Sequence, residues 1–501
     1  MIADASSMDR SAFEREFDVC VVGSGPAGIT LARRLAAKGA RVALMEAGGL
    51  EYSDESQDAY RGTNIGMEYF DLDVCRLRYF GGTSNHWGGW TRALEAVDFL
   101  PKSYAPLTGW PIGQIDLDPY RTEADAILDV PSATEAPDLP VRQKGYDFHR
   151  FQFRFSPPTR FAEKYLGEIE ASEAITLVVN ANLVDLRLDE GLGRVAGAVF
   201  RGYAPADPGF TIRARAYALC CGGIENARLL LNFTSQVPEG VGNRGGWVGR
   251  CFADHPHFLI AECVLRVLVR EREFYAPTEL FMTEHACLNF GLRLEPRWIW
   301  PYELPALARE DMPPEEFNIL LERLVRDPFV DRALTDRLVL PQPTGQTGVL
   351  RIAQEALPNP ESRVRLGEER DAFGLRRVAM DWRLSEIDVH TMRTAAMAFG
   401  AHMADTEIGR AQVGDWLLAD PPRFPGVLDD EVGGKHHMGT TRMAADPGKG
   451  VVDADCRVHE VENLYIGGSS VFASTGHCNP TYTLTQLALR LGDHLAARLA
   501  G

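Results

Sequence analysis

The sequence predicts an α/β protein with a parallel sheet near its amino-terminal end and a second sheet, mainly antiparallel and accompanied by helices, further along the chain. Residues 17–49 have the pattern of strand, glycine turn, helix and strand, and residues 211–233 repeat strand, glycine turn and helix. Between about residues 259 and 430, apolar and polar residues alternate between proline-rich turns, which is typical of antiparallel strands. A helix is predicted there over residues 315–327.

Length and composition bound the kind of protein. A chain of 501 residues is too long for one compact core, so we expect two domains. Acidic residues outnumber basic ones, 70 to 52, and the net charge of −18 argues against a nucleic-acid or anionic-membrane partner. Nine cysteines without a CxxC pair predict reduced thiols and no zinc site.

The chain's ends and apolar runs predict its location. No run of 18 or more apolar residues is present, so no transmembrane segment is expected. The first residues lack the basic and apolar regions of a secretory signal. We therefore expect a cytoplasmic protein, with export alongside a signal-bearing partner as the alternative.

A glycine-rich turn follows the first predicted strand. Gly23, Gly25 and Gly28 stand at GxGxxG spacing, and a helix is predicted to begin near Pro26. The first glycine permits the turn, the second lets backbone approach a pyrophosphate, and the third lets helix pack on strand. The next strand ends at Glu46, whose carboxylate suits a ribose diol. The unit predicts a Rossmann-like dinucleotide site, for which FAD and NAD both remain candidates.

A second glycine-rich segment, RYFGGTSNHWGGWTRAL, covers residues 78–94. Here the sequence resembles the glucose–methanol–choline (GMC) family of FAD oxidoreductases, and its motif is closest to those of pyranose oxidase and bacterial glycoside 3-oxidising enzymes. The resemblance implies FAD as cofactor and places this loop beside the flavin. It also implies that a covalent histidyl–flavin bond at His86 is an option; because many relatives hold FAD without a bond, the non-covalent form is favoured.

The carboxyl-terminal part carries two adjacent histidines in GGKHHMGTTRM, residues 433–443. Neighbouring side chains of extended chain point to opposite faces, so only one of the two can face the flavin. The family pattern places the catalytic histidine three positions before the glycine, which selects His436 over His437. The family's second catalytic residue matches Asn479, which can also cap a helix beginning at Pro480. His477 is assigned to the loop.

The resemblance implies roles for further residues. Gln354 is expected to face the substrate. From the sequence itself, His255 and His257 are expected to pack in the protein and not to bind metal, because no carboxylate–histidine spacing supports a metal pair. No metal ion and no iron–sulfur centre are expected. The cofactor-binding set, besides the glycines, Pro26, Glu46, His86 and Asn479 above, comprises Ala27, Ala47, Gly82, Thr83, Ser84, Asn85, Trp87, Leu183, Val184, Gly222, Asn226, Gly468, Ser469, Pro480 and Thr481.

Two discontinuous domains are predicted. Residues 14–100, 173–258 and 431–501 form the FAD-binding domain, and residues 101–172 and 259–430 form the substrate-binding domain with connecting segments. The resemblance implies oxidation of a sugar or glycoside CH–OH, at C2 or C3, with His436 taking the hydroxyl proton as hydride goes to flavin N5.

Two other enzyme functions stay open at this point. One is an FAD oxidase or dehydrogenase of an aryl or aliphatic alcohol, and the other is a lyase that retains FAD without redox chemistry. Molecular oxygen, a quinone or a cytochrome would accept the electrons. The chain can act as a homo-oligomer or with a small accessory subunit.

Overall fold

The computed structural model describes residues 1–7, 16–131, 139–140, 147–204, 207–267, 269, 272–299 and 345–501. The helix predicted over 315–327 lies outside these residues. Among the residues described, none of the helices combines the length and the apolar character needed to cross a membrane.

A six-stranded parallel sheet forms the centre of the larger apolar core. The strands of this sheet other than the half-buried edge strand Ile2–Asp4 are mostly buried and largely apolar, as sheets covered on both faces require. This confirms the Rossmann-like part of the predicted fold. One edge strand comes from the first residues of the chain, ahead of the predicted domain start at residue 14. In spatial order the strands are Ile2–Asp4, Ile175–Val179, Val42–Met45, Phe17–Val22, Ala214–Leu219 and Leu464–Ile466.

Helices cover this sheet. Pro26–Ala37 and Pro480–Ala500 approach each other closely because residue 492 is glycine: a Cβ there would lie 2.6 Å from Cγ of Arg34. An ion pair of 2.7 Å between Arg34 and Asp493 ties the same two helices together. The helices Phe161–Ala171 and Gly222–Asn232 belong to the same core.

A seven-stranded antiparallel sheet has a separate apolar core, as predicted for the second half of the chain. The helix Glu386–Asp405 packs into this core through Met392, Ala395, Ala396, Phe399 and Met403, which recur at helical spacing. In spatial order the strands are Gly409–Val413, His257–Leu265, Gly345–Gln354, Phe290–Ile299, Glu273–Pro277, Phe148–Phe151 and Leu139–Pro140.

Smaller elements complete the described fold. Three further sheets consist of Asn182–Leu188 with Val195–Arg201 and Phe210–Ile212, of Arg363–Arg370 with Arg376–Asp381 and Gly62–Asn64, and of Trp90–Thr91 with Arg154–Phe155. The remaining α-helices are Asp54–Gln57, Arg121–Leu128, Glu279–His285 and Asp415–Leu418. Short 3₁₀ turns lie at Asp58–Tyr60, Gly82–Asn85, Ala96–Phe99, Gln114–Asp116, Asp118–Tyr120 and Ser469–Val471.

Candidate active site

A cavity of about 430 Å³ opens where the parallel strands end, and segments from across the chain line it. Ligand sites of open α/β sheets lie at this edge. The structure brings most of the sequence-predicted residues to its walls. These are Gly23, Gly25, Pro26, Ala27, Glu46, Ala47, Gly82, Thr83, Ser84, His86, Trp87, Leu183, Gly222, His436, Gly468, Ser469, Asn479, Pro480 and Thr481.

The three glycines of the first turn have different surroundings. Gly23 adopts a φ of +97°, and a Cβ there would come within 2.7 Å of the Cys220 carbonyl oxygen. A Cβ on Gly25 would meet no atom within 4 Å, so this glycine leaves open space on the cavity side. A Cβ on Gly28 would lie 1.8 Å from the Gly23 oxygen, because the helix packs directly on the turn. Gly28 therefore acts through packing and does not line the cavity.

The helix Pro26–Ala37 begins at the cavity without a side-chain cap. Its first-turn N–H groups have no partners within the helix, and the positive end of the helix favours an anion such as a pyrophosphate. Glu46 lies beside this turn, where its carboxylate accepts hydrogen bonds from Ser24 N at 3.0 Å and Gly48 N at 2.8 Å. The acid at the strand end is thus held rigidly at the cavity wall.

Two buried arginines that sequence analysis missed also line the cavity, Arg76 and Arg78. Arg78 donates to Asn182 Oδ1 and to the Tyr203 hydroxyl, both at 2.9 Å. Nη1 of Arg76 is buried with no hydrogen-bond partner, and the nearest carboxylate, Glu225, is 3.8 Å away. Their spacing in CRLRYFGG was the available signal, since Arg78 is the first residue of the glycine-rich segment and Arg76 lies two positions before it.

These features fit a dinucleotide such as FAD. The cavity offers an unpartnered buried guanidinium nitrogen at Arg76, open space beside Gly25 and Gly222, an uncapped helix start and a fixed carboxylate at Glu46. Guanidinium and backbone N–H groups are the donors that phosphate oxygens prefer.

The glycine-rich segment lies against the first turn: a Cβ on Gly82 would lie 3.0 Å from Cα of Gly25. His86 faces the cavity, and burial followed by the Lys435 and Arg160 cations lowers the pKa of its imidazole below 6.5. Trp87 is anchored by its Nε1, which donates to the Thr159 carbonyl at 2.9 Å.

His436 lies at the cavity, close to a third histidine. Its Nδ1 is 3.0 Å from Nδ1 of His255, and Nε2 of His255 lies 3.4 Å from the Thr475 carbonyl oxygen. A carbonyl oxygen only accepts, so Nε2 of His255 carries hydrogen and its Nδ1 is an acceptor. Nδ1–H of His436 therefore donates to His255, and Nε2 of His436 keeps a free lone pair.

Burial lowers the pKa of His436 well below 6.5, and the neighbouring histidines His255, His257 and His437 lower it further. The imidazole is accordingly neutral at pH 7, which is the form that can accept a proton. Such a neutral, oriented imidazole at a cofactor-sized cavity can act as a general base.

His437 is held differently from its neighbour. Its Nε2 is 2.9 Å from the hydroxyl of Tyr69, which donates to Asp254 Oδ2 at 2.5 Å. The other oxygen of Asp254 accepts the backbone N–H of His436 at 2.8 Å. Burial lowers the pKa of His437 to about 3. The Asp254 carboxylate thus bonds to the backbone of His436 and, through Tyr69, positions the ring of His437. The Nε2 of His437 is already hydrogen-bonded to Tyr69.

Asn479 precedes the helix Pro480–Ala500, but its side chain makes no capping hydrogen bond. Asn479 is one of the residues that line the cavity. His477 is fully buried, 5.0 Å from the Phe151 ring centroid and 3.7 Å from the Glu95 carboxylate.

Four more predicted residues lie outside the cavity wall. Asn85 donates to the Phe80 carbonyl at 2.8 Å, and Asn226 joins Cys221 N to Ser470 Oγ, both at 2.9 Å. Val184 follows the cavity-lining Leu183 at a register shift of its strand and does not line the cavity. Gln354, expected to face substrate, is fully buried and donates to the Asp388 carbonyl at 3.1 Å. Hydrogen bonds within the protein hold three of these four side chains, those of Asn85, Asn226 and Gln354.

Comparison with known proteins agrees with this geometry. Residues 358–488 match the family model of GMC oxidoreductase, and residues 21–72 match that of an NAD(P)-binding Rossmann-like domain. The chain carries the carboxyl-terminal domain of the GMC oxidoreductases. The protein uses FAD and acts as an oxidoreductase on the CH–OH group of alcohol or sugar-like donors.

Relatives of this chain are named for several different substrates. The 6'''-hydroxyparomomycin C oxidase of Streptomyces lividus is 24% identical over 99% of this chain and 94% of its own length. The 2-methyl-1,2-propanediol dehydrogenase of Mycolicibacterium austroafricanum is 23% identical over 96% of each chain. The C-glycoside 3-oxidase of Arthrobacter globiformis is 30% identical over 26% of this chain and 23% of its own.

The fold of a solved fungal aryl-alcohol oxidase is also similar. It superimposes with a TM-score of 0.62 over 97% of this chain and 100% of its own, at 13% identity. At that identity the likeness concerns the fold alone.

Proposed function

We propose that the enzyme oxidises a secondary CH–OH group of a sugar or glycoside, at C2 or C3, to a ketone. In this proposal His436 accepts the hydroxyl proton and Asn479 orients the hydroxyl by a hydrogen bond. The observation that carries the proposal is the free Nε2 of His436, oriented through the bond between its Nδ1 and His255, at the cavity that Asn479 also lines.

Oxidation of the alcohol requires two hydrogens to leave. The hydroxyl proton moves to Nε2 of His436, which becomes an imidazolium whose Nδ1–H still bonds to His255. FAD, when bound, supplies the hydride acceptor. The amide of Asn479 neither takes nor gives a proton at ordinary pH, so one base serves the reaction.

The relatives support a polyhydroxylated substrate. The names of two of them refer to 6'''-hydroxyparomomycin C and to a C-glycoside, and the second also names position 3. An alternative substrate class, a small aliphatic alcohol, is supported by the diol dehydrogenase, which spans nearly the whole chain.

One anaerobic experiment tests the proposal. The holoenzyme is mixed without oxygen with sugars, glycosides, aliphatic diols and benzylic alcohols, and flavin absorbance is followed. Bleaching by a pyranose or glycoside, followed by detection of a 2- or 3-keto product, is the expected result. Bleaching by the diols or benzylic alcohols alone would replace the sugar assignment with the alternative. No bleaching by any donor would favour the non-redox lyase.

The electron acceptor and assembly complete the proposal. We propose oxygen, a quinone or a cytochrome as acceptor, with the acidic surface, of net charge −18, steering a basic protein acceptor. The rate at which each acceptor reoxidises the reduced enzyme identifies the acceptor. The size of the native protein shows whether it is a homo-oligomer or carries an accessory subunit. The discontinuous domain division of residues 14–100, 173–258 and 431–501 against 101–172 and 259–430 is part of the same proposal.

The rate of flavin reduction should be insensitive to mild acid. The lowered pKa of His436 means that protonation, which removes the base, occurs only well below pH 6.5. An unperturbed histidine would retain only about a quarter of the rate at pH 6.0, whereas His436 should retain nearly all of it. Stopped-flow reduction under anaerobic conditions between pH 5 and 8 measures this. A midpoint at or above pH 6.5 would contradict the assigned environment.

We predict that FAD is held without a covalent bond. His86 faces the cavity as a neutral imidazole, but the helix start, Glu46 and the arginines already provide non-covalent contacts for the cofactor. Acid precipitation should leave a yellow supernatant over a colourless pellet. A yellow pellet that turns colourless in the variant His86→Ala would instead identify a histidyl–flavin bond.

A further inference from the structure

Three histidines from two distant segments converge beside the cavity. One ring nitrogen from each of His255, His257 and His436 lies within 4.8 Å of the other two. The His257 ring stands edge-on to that of His436, with centroids 5.9 Å apart. Of these three histidines, only His436 reacts in the proposed mechanism. The proximity of His255 and His257 to it is therefore not explained by proton transfer alone.

We propose that His255, His257 and His436 form a binding site for a divalent transition-metal ion, foremost Zn²⁺, and that the bound ion switches off the base. Imidazole nitrogen is a preferred ligand of Zn²⁺, Cu²⁺ and Ni²⁺. Three protein ligands leave a fourth position of a tetrahedral ion for water.

The distances suit such an ion after small movements. Zinc–nitrogen bonds of about 2.0–2.1 Å place two ligand nitrogens about 3.3 Å apart, so the 3.0 Å pair of His255 and His436 must open by a few tenths of an ångström. His257 has the larger adjustment to make, and its side chain is 21% exposed, so it has room to move. Glu431, 3.6 Å from Nδ1 of His257, supplies a negative charge at the rim.

The ion would change where His436 carries its hydrogen. A metal bound to Nδ1 takes the place of the proton shared with His255. That proton then moves to Nε2 of His436, so the imidazole stays neutral but presents N–H to the substrate hydroxyl. An N–H group cannot accept the hydroxyl proton. The ion would inhibit by binding Nδ1 of His436, on the side that faces His255, and would leave the cavity open. A higher substrate concentration would therefore not relieve the inhibition.

Metal binding is measured first, because it does not depend on the proposed function. Holoenzyme stripped with a chelator is dialysed against Zn²⁺ and its metal content is determined. Wild type should retain one equivalent, and His257→Gln should bind at least tenfold more weakly while keeping its flavin spectrum. His459→Gln, a histidine that contacts the Ala444 carbonyl away from the cluster, is the matched control and should bind like wild type. Equal binding by wild type and His257→Gln would overturn the site.

Copper gives a second, spectroscopic readout. With Cu²⁺ in place of Zn²⁺, the electron paramagnetic resonance spectrum of wild type should show nitrogen ligation that is reduced in His257→Gln. A spectrum unchanged by that substitution would also overturn the site.

The inhibitory effect rests on the proposed role of His436 and is tested separately. Zn²⁺ should slow anaerobic flavin reduction at least tenfold, a chelator should restore it, and His257→Gln should need at least tenfold more zinc, each variant being compared with its own metal-free rate. Zinc that binds through His257 but leaves reduction unchanged would refute the switch and the base assignment, while the site would stand. Absence of binding would refute the site alone.

Discussion

The variant His436→Ala should bind FAD as the wild type does and yet be reduced by substrate about 10²–10⁴ times more slowly, the usual contribution of a positioned general base. The loss follows from removing the imidazole that His255 orients at the cavity and whose Nε2 is free to take the hydroxyl proton. Anaerobic stopped-flow spectroscopy of the yellow variant measures it. FAD content reports separately on cofactor binding.

Two comparisons make the His436 result decisive. His390→Ala removes an exposed histidine of the helix Glu386–Asp405 and should reduce at the wild-type rate. His437→Asn removes the imidazole bonded to Tyr69 and should cost less than His436→Ala. If the larger loss came from His437→Asn, or if His436→Ala were reduced near the wild-type rate, the base would have been misassigned.

The variant Gly28→Ala should lose both stability and cofactor. A Cβ at this position would overlap the Gly23 carbonyl oxygen at 1.8 Å. The oxygen belongs to the backbone and the Cβ is fixed by its bond to Cα, so neither atom can rotate away. Overpacking commonly costs about 1–3 kcal/mol, and we expect the upper end or more because the helix must move off the strand. Thermal melting of the apoprotein, with the FAD content after purification, measures the effect.

Two other glycines provide matched controls. Gly25→Ala meets no atom within 4 Å, so it should fold normally but reduce FAD affinity at least tenfold by occupying the cavity side of the turn. Gly167→Ala, on the exposed face of the helix Phe161–Ala171, should leave FAD binding intact and stabilise by up to about 1 kcal/mol. A melting temperature of Gly28→Ala within a degree or two of wild type would show that the turn adapts.

Local patterns accounted for much of the fold. The strand Phe17–Val22, the helix from Pro26 and the strand ending beside Glu46 follow from apolar runs and glycine spacing, which operate over a few residues. Local patterns could not predict whether the side chain of Gln354 faces the core or the cavity. It ends a long strand, and a shift of one position in register exchanges the buried and the cavity side.

The histidine cluster illustrates what local patterns omit. His255 and His436 meet because antiparallel bridges join Ala253 to Met438 and Pro256 to Gly433, and these residues are far apart in sequence. Nothing in either segment alone encodes that pairing. Arg76 and Arg78, in contrast, stand at the start of the glycine-rich segment, so a search of the sequence for basic residues near that motif would have found them.

His257 is the first residue of the strand His257–Leu265. This strand pairs with a neighbouring strand of the antiparallel sheet on each side. Substitutions made in that sheet to broaden the range of donors will therefore also move His257, whose ring contacts that of His436, the proposed base. Variants with substitutions in the sheet should be screened for the rate of proton removal from the donor as well as for which donor they oxidise. Losses of turnover there need not signal poor recognition.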